Sequence, residues 1–155
     1  MKYLFFVFFC FLLLAGCDSK RVFEDYSKFK NRAWLVNDPA VFQFEIKDAS
    51  KKYNLYYNVR NSLEYPWQRI FIQYQLADSS GTFLSTKLVS NYLFEKSGKP
   101  LGRSGLGDVY DNQFLLLENY SFSNTGLYRM ELEQLNRQDT LAGILAVGIR
   151  VETAQ

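Results

Sequence analysis

The stretch Val41-Phe42-Gln43-Phe44-Glu45-Ile46-Lys47 decides the fold class, because apolar and polar side chains alternate along it with a period of two. In a β-strand successive side chains point to opposite faces of the sheet, so this pattern buries one face and exposes the other. The same alternation returns in four later runs, at residues 55–59, 70–76, 128–132 and 145–151. The sequence therefore predicts a domain built from strands.

Short polar connections separate these runs and indicate how the strands pair. The first two runs are expected to be antiparallel neighbours across the turn at 48–52. Residues 78–81, Asp-Ser-Ser-Gly, suit a hairpin that returns along 82–94, a segment whose less regular alternation predicts a bulge or an edge position. Residues 114–122 are mostly apolar and predict a strand that is buried on both faces.

Seven or eight strands at this spacing, with no persuasive amphipathic helix between them, predict an all-β fold. The expected architecture is an antiparallel β-sandwich of jelly-roll or immunoglobulin-like type that occupies residues 40–155. The glycine-rich residues 97–112 are expected to form its longest irregular loop.

The first residues of the chain are expected to serve export rather than folding. Lys2 precedes twelve apolar residues at 3–14, too few for the ~20 that a membrane-spanning helix needs, which is typical of a signal peptide. The ending Leu14-Ala15-Gly16-Cys17 resembles the lipobox of bacterial lipoproteins. It predicts that residues 1–16 are removed and that Cys17 carries a diacylglyceryl group and an N-acyl chain, which would anchor the protein to a membrane.

The residues that follow Cys17 are polar and aromatic by turns. Residues 17–39 are therefore expected to be a lipid-anchored tether between the membrane and the domain. The alternative is that their basic and aromatic side chains contact lipid headgroups.

Composition excludes several classes of function. Removal of residues 1–16 leaves 139 residues with 17 basic and 16 acidic groups, a balance that does not favour nucleic-acid binding. The chain has no histidine, and its two cysteines are Cys10 in the signal peptide and the lipidated Cys17. Disulfides, Ser-His or Cys-His nucleophiles and His-ligated zinc are thus excluded from the mature chain, which is not expected to be an enzyme.

Two segments are candidates for contact with a partner. Long loops on a β scaffold are frequent binding sites, which favours the glycine-rich loop. Tyr65 and Trp67 flank Pro66 in a connection, so at least one ring is expected to be exposed and to contact a protein partner or stack on a sugar, with capping of the core as the alternative. The predicted partner-binding residues are Tyr65, Trp67, Gly102, Gly105, Gly107 and Asp108.

Two groups of polar residues have ordinary explanations as well as chemical ones. Asp108, Asp111 and Asn112 offer the oxygen ligands that Ca²⁺ prefers, but they are equally typical of turns, so no metal or other cofactor is predicted. Glu131 and Glu133 share one strand face ~7 Å apart, a spacing compatible with a glycosidase pair. An outward polar face of a sheet explains them equally well, so no catalytic residue is predicted.

A set of short segments spreads over nearly the whole chain: Cys17-Asp18-Ser19, Val22-Phe23 with Tyr26, Phe42-Gln43-Phe44-Glu45-Ile46, Tyr53-Asn54-Leu55, Arg60-Asn61, Tyr65-Pro66, Leu101-Gly102, Gly105-Leu106-Gly107-Asp108, Gly126-Leu127-Tyr128 and Val147-Gly148-Ile149-Arg150-Val151-Glu152. In order and spacing they resemble the GldH family of gliding-motility lipoproteins of Bacteroidetes.

The resemblance implies a cell-envelope lipoprotein associated with the gliding machinery, without known catalytic residues. Its expected partners are the membrane, through the lipid anchor, and other envelope or gliding proteins, and the outer membrane is expected rather than the inner one. The alternative is a carbohydrate-binding surface lipoprotein with a glycan as its partner.

Overall fold

The structure is a computed structural model that describes residues 18–154. The predicted signal peptide and lipidation site, residues 1–17, lie outside the described residues.

The described chain is composed of strands, which confirms the predicted all-β, antiparallel class. Eleven strands are present, more than the seven or eight expected: β1 Arg21–Lys28, β2 Ala33–Leu35, β3 Ala40–Ile46, β4 Lys52–Ser62, β5 Arg69–Asp78, β6 Phe83–Tyr92, β7 Arg103–Ser104, β8 Val109–Ser121, β9 Gly126–Gln134, β10 Thr140–Ala142 and β11 Ile144–Thr153. The helical structure in residues 18–154 is limited to one 3-10 turn, Lys30–Arg32. Within that range no helix has the length and apolar character needed to cross a membrane.

The strands form two large sheets and one small one. Sheet A has the order β1-β11-β4-β8-β7, sheet B has the order β3-β9-β5-β6, and β10 pairs with β2 in a two-stranded end sheet. The inner faces of sheets A and B supply one hydrophobic core in a sandwich-like arrangement. The end sheet contributes Trp34 and Leu141 to that core.

The side chains of the alternating runs are buried and exposed as the sequence predicts. On β3 the side chains of Phe42, Phe44 and Ile46 are buried while the residues between them are exposed. β5 and β9 repeat the pattern in sheet B. The predicted hairpin is also confirmed, because β5 pairs with β6 and β6 is an edge strand.

Two details of the predicted pairing are wrong. The first two runs, β3 and β4, lie in different sheets, because the chain crosses the sandwich at 47–51 and each strand finds partners elsewhere. The segment predicted as buried on both faces belongs to β8, where Leu115 is 46% exposed. Only one face of sheet A packs on the core, so the outward side chains of β8 remain in solvent.

The predicted tether is also wrong for most of its length. β1 pairs with β11 along seven registered positions, and Trp34 within β2 is fully buried. The folded domain therefore begins near residue 21, and not at residue 40. Polar residues occupy both faces of β1 because it is the outermost strand of sheet A, and this obscures its alternation in the sequence.

The sandwich has two distinct ends. Asp18 lies at the first, where Arg21 pairs with Glu152. β4 runs from this Asp18 end to the opposite end over 11 residues, a length of about 34 Å at the usual rise of a strand. The opposite end, called the loop end below, gathers four connecting segments: 29–39, 63–68, 93–108 and 135–143.

Candidate functional site

A groove opens on the outer face of sheet B at the loop end. Its volume is about 870 Å³. β5 and β6 supply its floor, and the connections before β5 and after β9 supply its sides. The side chains that give this loop-end groove its character are Trp67, Arg69, Phe71, Leu88, Tyr92 and Leu135.

Large apolar side chains are exposed in this groove. Trp67 is 48% exposed, Leu88 52%, Tyr92 47% and Leu135 43%. Single exposed apolar residues are ordinary, but a contiguous set that lines a concavity is typical of a binding surface.

Arg69 lies flat across the floor of the groove. Its guanidinium carbon is 4.6 Å from the ring centroid of Tyr92 and 5.6 Å from that of Phe71, and Nη2 donates to Ser90 Oγ at 3.0 Å. Stacking on two rings holds the charge in place without neutralising it. Arg137 adds a second guanidinium to the lining, which contains no acidic residue. Within residues 18–154 neither arginine forms an ion pair, so the groove is cationic.

Tyr65 supports the groove from behind, and its predicted role as a partner contact is wrong. Its side chain is 3% exposed and its ring stacks on Phe94. Its hydroxyl donates to the Arg69 carbonyl at 2.8 Å and accepts a bond from Asn136 Nδ2 at 2.9 Å. Burial raises the pKa of Tyr65, so its hydroxyl stays a donor at neutral pH. Of the two rings that flank Pro66, Trp67 is the exposed one.

Asn136 completes the support. Its Oδ1 accepts a hydrogen bond from the Phe71 amide at 2.8 Å, so one side chain joins the connection after β9 to the first residues of β5. Gly143 packs against the same region. Its φ is +81°, and a Cβ there would lie 2.3 Å from the Tyr65 amide nitrogen, a distance that only glycine avoids. The groove therefore rests on a fixed frame.

The glycine-rich loop lies at the same end, and its predicted residues are not in the groove lining. Gly102 lets the loop backbone pack against Asn112, since a Cβ at residue 102 would be 2.7 Å from Asn112 Nδ2. Gly107 has a φ of +69°, in the left-handed region that favours glycine. Asp108 accepts two hydrogen bonds from Arg32, at 2.9 and 3.0 Å. These residues shape the loop, whose exposed tip includes Gly105. Contact between the loop and a partner stays a prediction.

The carboxylates considered for metal binding or catalysis have other partners. Asp111 is bound by Arg60, with Nε to Oδ1 at 2.7 Å, while Asp108 faces Arg32. In the described part of the chain no three acidic, histidine or cysteine side chains are grouped to hold a metal ion. Glu131 is paired with Arg129 on the outer face of sheet B.

A second polar cluster lies at the Asp18 end. Arg150 on β11 binds three carboxylates: Asp18, Glu24 at 2.9 Å and Glu152 at 2.5 Å. Burial lowers the pKa of Arg150, but its carboxylate partners outweigh burial and raise it overall. The hydrogen bond from Arg150 in turn holds the pKa of Asp18 below its usual value. Residue 18 is thus fixed against sheet A.

Residues 21–151 match the protein-family model described as GldH lipoprotein. The match runs from the first residue of β1 into β11 and so includes the groove, together with Glu24 and Arg150 of the polar cluster.

The chain belongs to the GldH lipoprotein family.

Two relatives support the assignment. A gliding motility lipoprotein GldH homolog of Christiangramia forsetii is 28% identical over 155 residues, which is 96% of this chain and 93% of the relative. The gliding motility lipoprotein GldH of Flavobacterium johnsoniae is 30% identical over 148 residues, 91% of this chain and 90% of the relative. Membership of a lipoprotein family supports the cell-envelope location and the membrane anchor predicted from residues 1–17.

Similarity to solved structures is weak. The VP2 subviral particle of infectious bursal disease virus matches 84% of this chain and 30% of its own with a TM-score of 0.38 and 13% identity. At that score the similarity supports no inference about this GldH family member.

The local sequence pattern indicates Trp67 but not most of the other residues of the groove. Phe71 could have been predicted as an exposed apolar residue, because it lies on the outward face of an alternating run whose other outward residues, Gln73 and Gln75, are polar. Leu88 and Tyr92 could not have been predicted, since their place in the groove depends on the pairing of β6 with β5. The Arg150 cluster joins residues more than a hundred positions apart and is not visible from local patterns.

The Arg150 cluster predicts a pH dependence of stability. Because the pKa of Asp18 is lower in the folded protein, its ion pair stabilises the fold at pH values above about 4, the usual pKa of an unfolded aspartate, and the contribution disappears as the pH falls through the lower folded value. Asp18→Asn is expected to lower the thermal midpoint by a few degrees at pH 7 and not at all at the lowest pH where the protein remains folded.

Thermal unfolding of both proteins between pH 7 and pH 2 checks this expectation. Asp139→Asn is the matched control, because Asp139 is exposed and forms no ion pair within residues 18–154. A difference between wild type and Asp18→Asn that stays constant with pH would show that the ion pair does not stabilise the fold.

Proposed function

We propose that this GldH family member is a noncatalytic, lipid-anchored assembly component of the gliding motility machinery, and that it binds an envelope partner through the loop-end groove. The observation that carries the proposal is the concentration of exposed apolar side chains in one concavity, at the end of the domain opposite Asp18. The two relatives carry gliding motility in their names, which supports the choice of machinery.

The composition of the groove favours binding over catalysis. The hot spots that contribute most of the binding energy at protein interfaces are enriched in tryptophan, tyrosine and arginine, the residue types of Trp67, Tyr92 and Arg69. The lining has no carboxylate, imidazole, thiol or amine to act as a general acid or base. Its fixed frame behind Arg69 would also lower the ordering cost of binding.

The position of Asp18 favours a partner that lies away from the anchoring membrane. Cys17, the proposed lipidation site, precedes Asp18 directly, and Arg150 binds Asp18 to β11. The lipid would therefore join the domain at its Asp18 end, with the groove about 34 Å further away, one length of β4. Attachment to the outer membrane, with the groove turned toward other envelope proteins, belongs to this proposal.

Two exposed leucines on the outer face of sheet B provide a matched test. Leu88 is 52% exposed inside the groove, and Leu127 is 54% exposed at the other end of the same face. In a gliding host, Leu88→Ser in the chromosomal gene is expected to abolish or strongly reduce colony spreading, because serine removes apolar contact from the partner surface. Leu127→Ser is expected to spread as the parent does.

Both variants must accumulate to parental levels in the membrane fraction, which immunoblotting measures. Equal spreading of the Leu88→Ser, Trp67→Ala and parent strains would show that the groove does not serve gliding.

Carbohydrate binding is the second candidate, because the exposed rings of Trp67 and Tyr92 in one concavity are suited to stacking on sugars. It predicts that the protein is retained on an insoluble polysaccharide and that Trp67→Ala reduces the retention. Absence of retention in the parent protein would reject it.

A further inference from the structure

We infer that the loop-end groove takes an extended, acidic segment of a protein partner, which adds to sheet B along the free edge of β6. This inference rests on the proposed function and assigns the chemistry of its partner.

β6 offers an open edge beside the groove. It is the outermost strand of sheet B, and within the described residues it pairs with β5 alone. All ten of its residues are exposed or half-buried. An edge strand directs unpaired backbone N–H and C=O groups outward, and extended peptides bind by adding a strand to such an edge. A sugar or a helix would leave these backbone groups without strand partners.

The side chains of the groove fit an added strand. Leu88 and Tyr92 lie on the same face of β6, four residues apart, and Phe71 and Arg69 lie beside them on β5. Every second side chain of an added strand would point toward this face, where apolar groups could cover Leu88 and Tyr92. The groove would thus bind every second side chain of the segment, and pairing with the backbone of β6 would require the segment to be extended.

The charges select an acidic segment. Arg69 and Arg137 are in the groove, and Lys87 lies within β6. None of these three cations forms an ion pair in the part of the chain that the structure describes, and β6 has no acidic residue. A lysine in an edge strand opposes pairing with ordinary strands. Carboxylates on the incoming segment would remove that penalty and complement both arginines.

Selection from a library of random twelve-residue peptides tests the inference without a known partner. The bait is the full chain, extracted from membranes in detergent. Enriched peptides are expected to be rich in aspartate and glutamate, with aromatic or aliphatic residues at alternate positions. Enrichment of neutral or basic peptides, or none above the detergent background, would overturn the inference.

Affinity measurements on the most enriched peptide give the sharper test. Joint replacement Arg69→Gln and Arg137→Gln is expected to weaken binding about tenfold, as loss of two charged contacts at an interface would do. Lys52→Gln, which removes an exposed cation from the Asp18 end of sheet A, is the control and is expected to bind as the parent does. N-methylation of alternate peptide residues should also abolish binding in one register, because it removes the donors to β6. Binding that is unaffected by N-methylation in either register would reject strand addition, and binding that is unaffected by the arginine replacements would reject the acidic segment.

These outcomes separate the two proposals. If Leu88→Ser strains stop spreading while the library yields basic peptides, the groove serves gliding and the acidic segment is wrong. If Leu88→Ser strains spread normally, the proposed function itself is wrong.

Discussion

Replacement of Trp34 with alanine is expected to lower the free energy of unfolding by about 3–5 kcal/mol, the usual cost of deleting a fully buried large aromatic side chain. Trp34 is 0% exposed, its ring stacks on Phe29 with 5.2 Å between centroids, and its Nε1 donates to the Asp38 carbonyl at 2.8 Å. The loss is a large part of the 5–15 kcal/mol that holds a typical domain together. The residue lies inside the segment that the sequence predicts as a tether, where its removal would have little effect.

Denaturant unfolding of the full chain in detergent, followed by circular dichroism, measures this effect. Trp67→Ala is the matched control, because Trp67 is the other tryptophan of the chain and is 48% exposed. Its stability is expected to change by less than about 0.5 kcal/mol. Similar stabilities of the two variants would contradict the placement of β2 over the end of the core.

Replacement of Cys17 with serine is expected to move the protein from the membrane fraction to the soluble fraction. A serine hydroxyl cannot form the thioether to diacylglycerol, and each lost methylene removes ~0.8 kcal/mol of membrane affinity, so the loss of the acyl chains removes durable attachment. The domain is expected to stay folded because the strands begin at residue 21. Fractionation and immunoblotting measure the distribution.

Cys10→Ser is the control for this experiment, since Cys10 lies in the predicted signal peptide and its variant is expected to remain on the membrane. Retention of Cys17→Ser in the membrane fraction, with its signal peptide removed, would show that a lipid on Cys17 is not what holds the protein there.

The strands could be predicted from the sequence wherever one face is buried and the other is exposed to solvent. β3, β5 and β9 meet that condition, and their alternation gave the class of the fold. β1 does not meet it. It is an edge strand with polar residues on both faces, and its partner β11 lies more than a hundred residues away. The placement of β3 and β4 in different sheets also depends on contacts that no local pattern encodes.

Only one residue of the groove is predicted from the sequence as a partner contact. Trp67 was found because proline and two aromatic residues mark an unusual connection. Tyr65 has the same local pattern but the opposite environment, since its ring is buried and its hydroxyl bonds to Asn136 and to the Arg69 backbone. Which of two adjacent rings is exposed is set by tertiary packing. The same holds for Arg69, whose position over Tyr92 requires the β5–β6 register.

Site-specific photocrosslinking in gliding cells tests most directly whether the groove is the surface that contacts a partner. A photoreactive phenylalanine analogue is placed at position 88 in one strain and at position 127 in another, on the same face of sheet B. A discrete protein adduct is expected from position 88, absent from position 127 and lost when Trp67→Ala is added. Equal adducts from both positions, or none from position 88 in cells that glide, would contradict this role of the groove.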